Sequence, residues 1–157
     1  MNDTKSILFI TVTFPPRLSV ASLRLYNYAK LFHENGWKVN VMTCTQEDQN
    51  ISDEFDLSIF KIIDVPWKDP YAKIHKIKNK YLRKVLTKSM SYVVPQLSIW
   101  LPDIRFKSWK KNAIRCANEL IKKEEISHIY TSFSPPSPHL IGQKLKSNHK
   151  NIYWIAE

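Results

Sequence analysis

Two kinds of apolar pattern alternate along this chain. The first is a short, nearly continuous run rich in β-branched and aromatic residues, which predicts a strand buried on both faces. Such runs cover residues 7–13, 37–43, 57–65, 127–132 and 151–157. The second is a longer stretch in which apolar residues recur every three or four positions, which predicts a helix with one buried stripe. Stretches of this kind cover residues 20–35, 71–94, 105–125 and 139–147.

Local signals set the boundaries. Pro15 and Pro16 end the first strand, because consecutive prolines cannot continue a central strand. Ser19 suits the N-cap of the first helix and Gly36 its stop. Apolar positions Leu23, Tyr26, Tyr28, Ala29, Leu31 and Phe32 recur along that helix. Pro66 cuts the third strand, and Pro95 ends or kinks the long helix, leaving an apolar loop over residues 96–103. That long helix carries two adjacent apolar rows, Ile74, Ile77, Tyr81, Val85 and Leu82, Leu86, Met90. In the next helix Trp109, Ala113, Cys116, Ala117, Leu120 and Ile121 turn inward. Residues 45–56 read as a polar loop and 133–138 as a proline-rich turn.

Strand, helix and strand within the first 43 residues make a βαβ unit, and such units build parallel sheets. The whole order predicts an α/β fold with an open doubly wound, mostly parallel, Rossmann-like sheet. Ligands of such sheets sit beyond the carboxyl ends of the strands, near a reversal of strand order. Residues 13–22 and 131–139 occupy those ends. The last apolar run is followed by no turn, cap or helix, which predicts that these 157 residues are the front part of a larger enzyme.

Composition narrows the class. A hydrophobic fraction of 43% fits a folded domain, and a formal charge of +10 favours anionic partners. Cys44 and Cys116 show neither metal-ligand spacing nor a disulfide framework and read as structural thiols in a reducing compartment. No apolar run is long enough to span a bilayer, and the N-terminus lacks a signal-peptide pattern, which places the chain in the cytoplasm or at the inner membrane face. Between residues 68 and 115 only Asp69 and Asp103 oppose the many lysines and arginines. Lys73, Lys76, Lys80, Arg83, Lys84 and Lys88 accompany the apolar rows of the long helix, the pattern of a helix lying on anionic lipid or of a packed helix with a solvated basic face. Zinc, RNA-recognition and helix-turn-helix patterns are lacking, which argues against nucleic acid as a partner.

The ordered set of motifs resembles the N-terminal domain of family-4 retaining glycosyltransferases, which have the two-domain GT-B fold. ILFITVTFPP over residues 7–16 looks like that family's first strand and proline exit, and ASLRLYNYAKL over 21–31 like its first helix. NGWKVNVMT over 35–43 looks like its second strand. IYTSFSPPS over 129–137, followed by HLIG over 139–142, looks like the turn and helix of a polysaccharide-building branch. IYWIAE over 152–157 looks like the strand that precedes an Arg-Asp-Pro-Trp segment in that branch. The resemblance spans nearly the whole chain and is weakest over residues 46–96. It implies transfer of a sugar from a nucleotide-sugar to a lipid-linked or saccharide acceptor, with retention. It also implies no metal or other cofactor, and a separate C-terminal domain holding the donor, without which this chain is inactive.

Two features depart from the family pattern. Relatives often carry adjacent glycines after the first strand, where this chain has Arg17, Leu18, Ser19 and Val20. Many also have a histidine at the tip of the fourth strand, where this chain has Ser132 to Ser134. The acceptor-side wall implied here comprises Phe14, Pro16, Arg17, Ser19, Arg24, Ser132, Ser134 and His139. Arg17 and Arg24 are phosphate contacts or solvated arginines, and the serines are acceptor contacts or ordinary turn residues. His139 is a general base, a helix cap or a solvated side chain. The carboxylate of Glu157 faces the cleft or frays with the terminus. A reading from a different class is a standalone binding or scaffolding domain that pairs with a separate partner. A third is a nonfunctional truncated remnant.

Overall fold

The computed structural model describes residues 5–44, 54–67, 77–100, 104–133 and 135–157. Five strands, β1 (Ser6–Ile10), β2 (Lys38–Cys44), β3 (Lys61–Val65), β4 (His128–Thr131) and β5 (Tyr153–Ala156), form one sheet. Their order is β3-β2-β1-β4-β5 and every pairing is parallel. This is the expected α/β, Rossmann-like, doubly wound architecture.

β1 is central and buried along its whole length, which explains why its sequence is continuously apolar. One face carries Ile7, Phe9, Val39, Val41 and Tyr130 beneath Leu25 and Ala29 of α1 (Val20–Glu34). The opposite face carries Leu8, Ile10, Met42 and Ile129 beneath α3 (Lys107–Lys123) and α4 (Ser137–Asn148). The inward stripe of α3 is the expected one, except that Cys116 is only half-buried. Ala113 and Ala117 leave that helix close to the sheet, and Trp109, fully buried, fills the space towards β2. On α1 the inward residues are Ser22, Leu25 and Ala29, whereas Leu23, Tyr28 and Leu31 are exposed. Gly36 follows α1 at φ +79, the left-handed conformation a helix stop requires. Glu125 does the same for α3 at φ 49, without a glycine.

Three expectations need correction. β3 starts at Lys61, not residue 57, because Asp56 accepts hydrogen bonds from the Ser58 backbone and hydroxyl and holds residues 56–60 as a turn. The long helix, α2 (Lys80–Trp100), starts where the Asn79 side chain accepts from the amides of Tyr81 and Leu82. It runs through Pro95, whose fixed φ is helical and which withholds only its own amide. The helix therefore covers residues expected to be loop, while the expected turns over residues 71–76 lie outside the described residues. On α2, Tyr81, Leu82, Val85 and Tyr92 are exposed and Leu86 is half-buried.

The third correction concerns β5. It is an edge strand, not a buried one, and Tyr153 and Ile155 stand exposed on the side of α1. Among the described residues α1 covers β1 to β3 on that side and no helix covers β5.

Candidate functional site

Strand order reverses between β2-β1 and β4-β5, so the crevice between the exits of β1 and β4 is where this fold places ligands. Both segments singled out from sequence meet at this carboxyl-end rim. Arg24, one turn into α1, places Nη2 3.5 Å from the Ser132 hydroxyl at the end of β4.

At the β1 exit Thr11 donates its hydroxyl to the Thr13 carbonyl at 2.9 Å, and the peptide between Pro15 and Pro16 is cis. Phe14 is buried against Phe60 and Tyr26, so it lies in the core and not on the cleft wall. Pro16 and Arg17 are exposed on the rim. Ser19 closes a capping box: its hydroxyl accepts from the Ser22 amide at 3.0 Å, and its own amide donates to the Ser22 hydroxyl at 2.8 Å. The N-terminus of α1 therefore spends these groups on itself, and an anion near Arg17 would not find them open.

The β4 exit is tied to β5. Phe133 donates its amide to the Glu157 carbonyl and Glu157 donates its amide to Thr131, each at 3.0 Å, so the Glu157 backbone is paired. Ser132 is buried and Phe133 exposed, while Ser134 lies outside the described residues. His139 does not cap α4, whose N-cap position is Pro136. Its Nδ1 sits 2.9 Å from the Thr131 hydroxyl, which also accepts from Trp154 Nε1 at 2.9 Å. Ser137, fully buried in the first turn of α4, leaves its hydroxyl without a hydrogen-bond partner among the described residues.

Glu157 completes the cluster. Its Oε1 lies 3.0 Å from Arg24 Nε. Tyr130, stacked on Phe9 and close to Tyr28, has its hydroxyl pushed far above the usual phenol range by burial first and by hydrogen bonding with Glu157 second. It stays protonated at neutral pH.

The chain matches no protein-family model, and no curated protein matches it significantly. The reading of the site therefore rests on geometry. Arg24, Ser132 and Glu157 come together, with His139 anchored nearby on Thr131. Ser19 is engaged in capping and Phe14 in core packing. Sequence reasoning missed Tyr130, which reads as an ordinary strand residue. The signal available was its place near the end of a strand at the reversal point.

Lys80, Arg83, Lys84 and Lys88 are exposed on α2, and Lys73 and Lys76 lie outside the described residues. No helix among the described residues is long and apolar enough to cross a membrane. Two open recesses lie at the opposite, amino-terminal rim. The larger, 640 Å³, is lined by His33, Trp37, Lys38, Ser58, Phe60 and Lys61 among others, away from the cluster described above. There Glu124 bridges Lys38 and Lys61, whose ammonium groups hold its carboxyl down at about 2.

Proposed function

We propose that this chain forms the acceptor-side domain of a retaining, two-domain glycosyltransferase. The complete enzyme moves a sugar from a nucleotide-sugar to a lipid-linked or growing saccharide in the synthesis of a cell-surface polysaccharide. The observation that carries the reading is the convergence of the β1 and β4 exits at the strand-order reversal, bridged by Arg24 and Ser132. A one-sided wall of this kind supplies acceptor contacts, while donor phosphates are stabilised by the facing domain and by closure that removes water. The chain alone turns over no nucleotide-sugar.

On this reading α2 seats the domain on the cytoplasmic face of a membrane. Tyr81, Val85 and Tyr92 form an exposed apolar stripe beside Lys80, Lys84 and Lys88, which supports interfacial binding to anionic lipid.

Two measurements test these statements. Titration with a farnesyl-diphosphate-linked N-acetylglucosamine, followed by amide shifts, should perturb residues 14–24 and 131–139, and shifts confined to other regions would refute the acceptor assignment. Sedimentation should separate anionic from neutral vesicles, and equal partition would remove the membrane role. A second reading is favoured by a separate observation. The open edge of β5 with exposed Tyr153 and Ile155 suits a binding domain that pairs with a partner polypeptide.

A further inference from the structure

Resting on the acceptor-side reading above, we infer that the Arg24–Glu157 pair is a subsite for the hydroxyl groups of an uncharged pyranose, not for a phosphate. A lone arginine at a ligand crevice attracts anions, but Arg24 is not alone. Glu157 Oε1 lies 3.0 Å from its Nε, so the cluster is close to electrically neutral and its field on an incoming phosphate is largely cancelled. The capping box at the start of α1 engages two more of the nearby donors, since the Ser22 amide is bonded to the Ser19 hydroxyl and the Ser19 amide to the Ser22 hydroxyl.

What the cluster offers instead is a mixed set of hydrogen-bonding groups at fixed spacing. The guanidinium edge donates and the carboxylate accepts. Ser132, itself buried, positions Nη2 at 3.5 Å. Both charged side chains are partly solvent-accessible, at 46% for Arg24 and 27% for Glu157, so a ligand reaches them. Adjacent hydroxyls on a sugar ring need one donor and one acceptor side by side, and a charge-assisted pair of this kind supplies both. Two exposed rings border the pair along the chain: Tyr28, one turn beyond Arg24 on α1, and Phe133, next to Ser132. The C–H face of a pyranose packs on such rings, while phosphate gains nothing from them.

The test uses the full chain and two probes, a set of methyl pyranosides of gluco, galacto, manno and N-acetylglucosamine type, and inorganic pyrophosphate. At least one pyranoside should bind with affinity nearly unchanged between about 50 and about 500 mM salt, because no net charge is neutralised. Glu157→Gln and Arg24→Gln should each weaken it about tenfold, the loss of a hydrogen bond to a charged group, while the amide spectrum shows the fold retained. Pyrophosphate should not displace it. Absence of any pyranoside binding overturns the inference. So does pyrophosphate binding that Arg24→Gln abolishes, or pyranoside binding that both variants leave unchanged. If the diphosphate-linked sugar still perturbs the rim while these results fail, only this subsite falls and the acceptor-side reading stands.

Discussion

Gly142 lies on the inner side of α4, and a side chain there has no room. A Cβ built on it would sit 2.6 Å from Trp154 Nε1, 2.8 Å from Trp154 Cε2 and 2.9 Å from Thr131 Cγ2. Three such contacts from two packed side chains mean that α4 or the indole must move. Gly142→Ala gains about 0.5–1 kcal/mol from helix propensity. Against this stand about 1–3 kcal/mol of overpacking and about 0.5–1.5 kcal/mol if the Trp154–Thr131 hydrogen bond is lost. The repulsive side wins, with a net loss of about 2 kcal/mol, equivalent to a fall in Tm of about 4–8 °C for a chain of this size. Urea unfolding followed by tryptophan fluorescence measures it. Trp154→Ala removes the indole altogether, so alanine at 142 should cost less in that background, and the double-mutant cycle gives the coupling directly. A Gly142→Ala protein as stable as the parent, or a cycle with no coupling, would refute the packing argument. Because Thr131 also holds His139, the same substitution should shift the His139 ring resonances.

Two further predictions follow from the rims of the sheet. Ser19→Ala breaks the capping box and should destabilise the chain by about 1 kcal/mol in chemical denaturation, and a change within error would show that α1 does not depend on that cap. Glu124 has its carboxyl lowered from 4.5 to about 2 by Lys38 and Lys61. Its folded pKa is depressed, so its contribution is complete above about pH 4.5 and is lost as pH falls through about 2. Parent stability should therefore drop faster with acid across that window than that of Glu124→Gln, and parallel curves would contradict the assignment.

Much of the fold was legible because burial on both faces makes β1 and β2 continuously apolar, and because Ser19 and Gly36 mark α1 with specific backbone chemistry. For α2 the sequence left two readings open for a physical reason. Its periodicity is that of an amphipathic helix, and periodicity cannot say whether a packing partner exists; Tyr81 and Val85 are exposed. Pro95 misled in a similar way, since a proline weakens a helix without always ending it. At the site, the two strand exits were legible from topology. The contact between Arg24 and Ser132 was not, because 108 residues separate them and only the sheet order brings them together. Tyr130 hid behind its own hydrophobicity, and Glu157 showed its role only once its neighbour across the crevice was known.

The mouth of the crevice is made without bare backbone. Both glycines of the chain, Gly36 and Gly142, lie elsewhere, and the β1–α1 turn is stiffened by its own hydroxyls while Pro16, Arg17, Leu18 and Val20 project from it. A contour drawn by projecting groups on a fixed frame can be redrawn one codon at a time, with the frame left intact. On the acceptor-side reading, selectivity at this opening changes with little effect on folding, and libraries randomised at positions 17, 18 and 20 should yield altered preferences at little cost in soluble yield.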